Sequence, residues 1–145
     1  MPKKTAKRSS LFLLELIIAI LFFILAATAC VKIFVHSRQL ENDSIALNQA
    51  VIACTSVAEI LRSESDPYDM LQEVYPTGTA TQDHFYIYYD NKWKLCSEAD
   101  ARFTVSLQTE YTDDFQKGYI SVLDQDVSIY QLEIETYLGE EVVSP

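Results

Sequence analysis

The sequence predicts an α+β fold in which a long N-terminal helix packs on an antiparallel β-sheet of about four strands. Three observations predict it. Residues 11–35 are apolar or small apart from Glu15 and Lys32. Neither Pro nor Gly occurs in residues 3–66, so one helix can continue well beyond the apolar run. From residue 85 onward apolar and polar residues alternate, which is typical of strands with one covered face.

The N-terminal part has the length and charge pattern of a membrane span. As a helix, residues 11–32 cover about 32 Å, close to the thickness of the bilayer core. Residues 1–10 form a leader with four basic residues and no acidic one. This leader predicts a cytoplasmic N-terminus. We therefore expect a single-pass protein of the cytoplasmic membrane, with residues 11–35 as the span and the C-terminal region extracytoplasmic.

Residues 36–63 are predicted to continue the helix outward as an amphipathic segment. A stripe at alternating spacings of four and three residues supports this prediction: Leu40, Ser44, Leu47, Val51, Cys54, Ala58 and Leu61. The stripe covers only three heptads and is rich in small residues, so packing on a small domain is favoured over a coiled coil. Pro67 predicts the helix end, and residues 64–82 are expected to form a connecting loop with a possible helical turn near residues 70–74.

Residues 83–145 are predicted to form the sheet. Residues 85–89 and 92–96 flank Asp90-Asn91, a two-residue turn suited to a hairpin. Further alternating runs contain Phe103, Val105 and Leu107, then Ile120 and Val122, then Tyr130, Leu132 and Ile134. Turns are expected at Asp113-Asp114 and at residues 124–126. Tyr86 and Tyr88 are expected on the face opposite the core, where tyrosines suit protein contacts.

The charge distribution argues against direct binding of nucleic acid. From residue 39 onward the chain has 20 acidic and five basic residues, a difference of −15. Such a region repels phosphate. Phosphate-binding loops and the common hydrolase and metalloprotease motifs are absent from the sequence.

No grouping of nucleophile, base and orienting residue is recognisable either, so we predict no enzymatic activity, no cofactor and no metal. His36 and His84 lack ligand spacing. Asp124 and Asp126 are better explained as a solvated turn than as a calcium loop. Three cysteines are too few for a disulfide framework. Cys54 and Cys96 can pair only outside the cytoplasm, and nothing in the sequence requires it.

A glutamate near the start of the apolar run carries the most specific signal. A short basic leader precedes the small residue Ser10, and Leu11-Phe12-Leu13-Leu14-Glu15-Leu16 follows. This arrangement resembles the class III signal of type IV pilins and type II secretion pseudopilins. The resemblance implies that a membrane-embedded prepilin peptidase cuts between Ser10 and Leu11 and methylates the new N-terminus of Leu11. It also implies that Glu15 pairs with the N-terminal ammonium of a neighbouring subunit during filament assembly.

The differences from the family pattern indicate a minor or divergent member. Ser10 stands where the family has Gly, Leu11 where it usually has Phe, and Lys32 near the place of a helix Pro. The resemblance implies other pilin or pseudopilin subunits, the peptidase, an assembly platform and membrane lipid as partners. It leaves open whether the filament serves secretion, DNA uptake or adhesion, and whether it reaches the cell surface.

Two other interpretations of the N-terminus remain open at this point. One is a plain signal anchor whose Glu15 reaches the headgroups and whose exported domain binds a protein partner without assembling. The other is a secretory signal with an h-region over residues 11–29. In that case Cys30 would be the lipidated residue of a lipoprotein.

Overall fold

The computed structural model describes the backbone of residues 3–63 and 67–139, and the side chains in these ranges from residue 7 onward. The elements in chain order are α1 (Lys3–Ser63), α2 (Pro67–Val74), β1 (Thr79–Ala80), β2 (His84–Tyr89), a 3-10 turn (Glu98–Asp100), β3 (Phe103–Tyr111), β4 (Phe115–Asp124) and β5 (Val127–Tyr137). The predicted α+β class is confirmed, with five strands instead of about four. The parts of the predicted segments at residues 1–2, 64–66 and 140–145 lie outside the described residues.

The chain divides into two structural units, residues 1–44 and residues 45–145. In the first unit the described residues are entirely helical and belong to α1. The second unit contains the last part of α1, then α2, then the sheet.

Within the second unit, α1 packs on the sheet through a stripe of mainly small residues. Its buried members are Ala50, Ala53, Cys54, Val57, Ala58 and Leu61. The prediction that this segment packs on the domain is confirmed, but the predicted stripe is only partly right. Leu40, Leu47 and Val51 are exposed. Small side chains allow a helix to approach a sheet closely, and the buried part of the predicted stripe is its C-terminal part, Cys54, Ala58 and Leu61.

The five strands form an antiparallel sheet in which each strand pairs with its neighbour in sequence, in the order β1-β2-β3-β4-β5. The predicted alternation in β3 and β4 is confirmed: Phe103, Val105, Leu107, Ile120 and Val122 are all buried. Because successive strand residues point to opposite faces, one face of the sheet forms the core with α1 and α2. We call this the inner face and the opposite one the outer face.

The hairpin predicted around Asp90-Asn91 is only partly formed. Residues 92–96 are not a strand, but Leu95 pairs antiparallel with Tyr89 in an isolated bridge, and the Cys96 N–H donates to the Tyr88 carbonyl at 3.0 Å. The Asp90 carboxylate accepts hydrogen bonds from the backbone N–H groups of Lys92, at 2.8 Å, and Lys94, at 3.0 Å. Trp93 takes a left-handed backbone conformation with φ of 60°. These features make a tight turn after β2, and the returning segment pairs with β2 through this one bridge, while β3 forms the long ladder with β2.

The segment expected to be a connecting loop contains α2 and the short strand β1. Pro67 occupies the first turn of α2, where its missing N–H has no intrahelical partner to lose. Asp69 in the same turn complements the helix dipole. Leu71 and Tyr75 are spaced by four residues and are both buried. Leu71 of α2 and Tyr75, the residue directly after this helix, therefore anchor the segment in the core.

The two remaining predicted turns are confirmed as hairpin connections. The turn at Asp113-Asp114 joins β3 to β4, and the one at Gln125-Asp126 joins β4 to β5. Gln125 has φ of 56°, as a two-residue hairpin turn requires at its first position. Tyr86 and Tyr88 lie on the outer face as predicted, but Tyr88 is only 7% exposed.

Candidate processing and assembly site

The three residues predicted to take part in processing and assembly lie on consecutive turns of α1. Ser10, Leu11 and Glu15 are helical and exposed. Leu11 and Glu15 are four residues apart, so they share one helix face and are separated by about 6 Å along the axis. A positive charge created at the Leu11 nitrogen would therefore form one helical turn from the Glu15 carboxylate on the same face.

Between Ser10 and Lys32, Glu15 is the one charged residue on a helix surface that is otherwise apolar or small on every side. All residues from 7 to 45 are exposed in the structure, including Phe22 at 70% and Phe23 at 75%. No charged residue lies between Glu15 and Lys32. A helix that is apolar all round belongs in a membrane or in the core of a larger assembly. By length and composition this helix can cross a membrane, a property that it shares with signal sequences.

Some of the other polar groups on this part of α1 have partners within the helix. The Thr28 hydroxyl donates to the Ile24 carbonyl at 2.8 Å. Arg38 lies 3.5 Å from Glu41 and 5.2 Å from the centre of the Phe34 ring. Glu15 differs from these groups, because among the described residues no cation lies within ion-pairing distance of its carboxylate.

In the second unit, grooves lie on the outer face of the sheet. A groove of about 480 Å³ is lined by the outer-face side chains His84, Ser106, Gln108, Tyr119, Ser121, Gln131 and Glu133 and by parts of Ile120 and Leu132. Ser106 and Ser121 hydrogen-bond each other at 2.7 Å. Among the described side chains, no group of three or more His, Cys, Asp or Glu could hold a metal ion.

Asp124, one of the two residues considered as calcium ligands, is paired with Arg102. The Arg102 guanidinium donates to both carboxylate oxygens of Asp124, each at 3.1 Å. This contact raises the pKa of Arg102. Asp124 is therefore already neutralised by a bidentate partner next to the predicted turn.

The cysteines are free thiols in very different surroundings. Cys54 is fully buried where α1 meets the sheet, whereas Cys96 is half-buried and Cys30 is exposed. Burial raises the pKa of the Cys54 thiol to about 11. The Cys54–Cys96 disulfide that the sequence left open is not formed in the structure.

Comparison with known proteins gives no relative for this chain. No protein-family model matches it, and neither the curated proteins nor the solved structures include a significant match. The interpretation of the site therefore depends on the residues themselves.

One exposed feature was not predicted from the sequence, namely the edge of β5, which no described element covers. Alternating runs indicate strands but do not give the order in which the strands pair, so no sequence signal marked this edge.

Proposed function

We propose that this chain is a pilin-like structural subunit that is cut between Ser10 and Leu11 and then assembled into a pilus or pseudopilus filament. One observation carries the proposal: Glu15 is the lone charge on an apolar, exposed stretch of α1, on the same face as Leu11. The α+β unit that follows this helix is compatible with the same class of subunit. A prepilin peptidase, an assembly platform and other subunits would be the partners.

The chemistry of the cut explains why a carboxylate would be kept in the span. Hydrolysis of the Ser10–Leu11 peptide bond releases the basic leader and leaves a new amine on Leu11. This amine is protonated near neutral pH, and addition of one methyl group leaves it basic. The cut therefore removes the four leader charges and creates a single ammonium at the start of the apolar helix.

The energetics favour pairing between this ammonium and Glu15. A lone carboxylate inside the bilayer interface costs up to a few kcal/mol. When helices pack together and exclude water, an unpaired charge becomes more costly and a paired one much less so. In a filament, the ammonium of one subunit and the Glu15 carboxylate of a neighbour would neutralise each other. Such a pair would fix the stagger between neighbouring helices.

The localisation follows from the same proposal. Before the cut the subunit would lie in the cytoplasmic membrane with its leader in the cytoplasm and the sheet unit outside. After assembly it would be part of a filament that serves secretion, DNA uptake or adhesion.

Glu15→Ala and Glu15→Gln test the proposal. Both variants should insert into the membrane at the wild-type level but fail to enter filaments, because the ammonium of the neighbouring subunit loses its partner. Incorporation is measured as the fraction of the subunit recovered in sheared filaments relative to the membrane fraction.

Glu41→Gln is the matched control. It removes a carboxylate from the same helix, but the Arg38–Glu41 pair is exposed on both sides and contributes little. Filament incorporation should be unchanged in this variant. If Glu15→Ala enters filaments at the wild-type level, the role in filament assembly assigned to Glu15 is wrong.

A further inference from the structure

β5 forms an edge of the sheet that no described element covers. The strand runs over Val127–Tyr137, and within the described residues only β4 pairs with it. The opposite edge of the sheet is β1, which is only two residues long. Short edge strands, Pro and Lys are common ways to prevent unwanted pairing. β5 has 11 residues and contains neither Pro nor Lys.

Alternate residues of β5 direct their backbone groups away from β4. The N–H of Leu138 donates to the carbonyl of Asp114 at 2.9 Å, and the pairing of β5 with β4 continues in register from there. Hydrogen-bonded pairs recur at every second residue of an antiparallel ladder. The N–H and C=O groups of Gln131, Glu133 and Glu135 therefore point to the free edge, ready to pair with another strand.

The side chains along this edge show which kind of strand would fit. Glu133 and Glu135 are exposed on the outer face. Lys117 is opposite Glu135 in the register, yet among the described residues no cation lies within 4.0 Å of either carboxylate. Tyr130 and Leu132 are half-buried and pack against the core on the inner face. A strand added here would meet unpaired carboxylates on one face and apolar side chains on the other.

We propose that the free edge of β5 binds an extended segment of another protein in which basic residues alternate with apolar ones. Backbone hydrogen bonds would supply affinity, and the alternation would supply specificity. A second copy of this chain fits less well, because it brings the same glutamates and a region with 20 acidic and five basic residues. The proposal does not depend on filament assembly.

The test uses the full-length chain in neutral detergent and a fluorescein-labelled peptide of about nine residues in which lysine and valine alternate. A matched peptide has glutamate in place of lysine. Fluorescence anisotropy should show binding of the lysine peptide and not of the glutamate peptide. Glu133→Gln combined with Glu135→Gln should weaken binding by about tenfold. Glu73→Gln, on the exposed face of α2, should leave binding unchanged.

Gln131→Pro separates strand addition from simple charge attraction. It removes an outward N–H without changing any charge, and Pro is tolerated on an edge strand where the N–H faces solvent. Binding of the lysine peptide should fall by about tenfold, since a backbone pair is lost and the ring obstructs the edge. The circular dichroism spectrum should match the wild type. If this variant does not fold, a lysine peptide with alternate backbone N–H groups methylated replaces it, since strand addition predicts about tenfold weaker binding of that peptide and simple charge attraction predicts no change.

Several results would overturn the proposal. They are absence of binding, equal binding of both peptides, and binding that Gln131→Pro leaves unchanged in the folded protein. Self-association of the chain that Gln131→Pro abolishes would assign the edge to a second copy instead.

Discussion

Replacing Gly118 with alanine tests how closely α1 packs on the sheet. Gly118 is buried in β4, between Thr109 of β3 and Ile134 of β5 in the register. A Cβ added at this position would overlap Cδ2 of Leu61 and lie 3.1 Å from Cγ1 of Ile134. Leu61 is only 1% exposed, so its side chain cannot move into solvent to make room.

The expected magnitude follows from two opposing effects. Overpacking in a well-packed core costs about 1–3 kcal/mol. Replacing glycine by alanine in a strand stabilises the folded state by about 0.5–1 kcal/mol, because alanine loses less conformational entropy on folding than glycine does. The net destabilisation of Gly118→Ala should be about 1 kcal/mol. For a unit of about 100 residues this lowers the midpoint of thermal unfolding by about 4–8 °C.

The assay is urea unfolding of the full-length chain in neutral detergent, followed by the fluorescence of Trp93, the single tryptophan. Leu61→Ala alone should cost about 2–5 kcal/mol. The destabilisation of the double variant Leu61→Ala with Gly118→Ala should be smaller than the sum of the two single destabilisations by at least about 0.5 kcal/mol. The reason is that alanine at position 61 leaves room for the new methyl group. The control is Gly139→Ala, where among the described residues the added Cβ would meet the exposed Tyr137 ring, and stability should change by less than about 0.5 kcal/mol. Wild-type stability of Gly118→Ala, or additive costs in the double variant, would refute the close packing.

Two further predictions concern titratable groups. Hydrogen bonds from the backbone of Lys94 and Lys92 lower the pKa of Asp90 below its ordinary value of 3.8, so the stability that Asp90 contributes is present above this value and is lost as the pH falls through the lower folded-state pKa. The urea midpoint should therefore fall less steeply below about pH 4 in Asp90→Asn than in the wild type, and equal slopes would contradict this role. Because burial raises the pKa of Cys54 to about 11, iodoacetamide at pH 8 should alkylate Cys96 in the folded protein and reach Cys54 only after unfolding, as measured by peptide mass spectrometry. Rapid alkylation of Cys54 in the folded protein would contradict its position in the core.

The regular parts of the fold were predictable because their periodicity reflects burial directly. Phe103, Val105 and Leu107 alternate with polar residues, and all three are buried. The absence of Pro and Gly before Pro67 allowed one continuous helix, and α1 indeed runs over Lys3–Ser63. In both cases a single local pattern and the tertiary structure agree.

The wrong strand at residues 92–96 shows where periodicity fails. Lys92-Trp93-Lys94-Leu95 alternates like a strand, but the Asp90 carboxylate offers the backbone a competing set of hydrogen bonds. Trp93 then finds its apolar contact by stacking on Phe103, with ring centres 4.1 Å apart. Alternation indicates which side chains tend to be buried, and here Trp93 is packed against Phe103 from a loop and not from a strand.

The candidate site was predictable only in part, for a different reason. The four-residue spacing between Leu11 and Glu15 fixes their common face as soon as the segment is helical. A single chain does not reveal a partner for Glu15, since among the described residues no cation lies within ion-pairing distance of its carboxylate. The free edge of β5 likewise emerged only from the order of the strands.

The most direct test of the proposed function is the N-terminus of the mature, membrane-bound protein, determined by mass spectrometry of its first peptide. We expect a chain that begins at Leu11 with one added methyl group on its amine. Ser10→Gly, which introduces the residue that pilin signals carry at this position, should give the same product. A protein that begins only at Met1, or one that begins at a lipidated Cys30, would contradict the proposal.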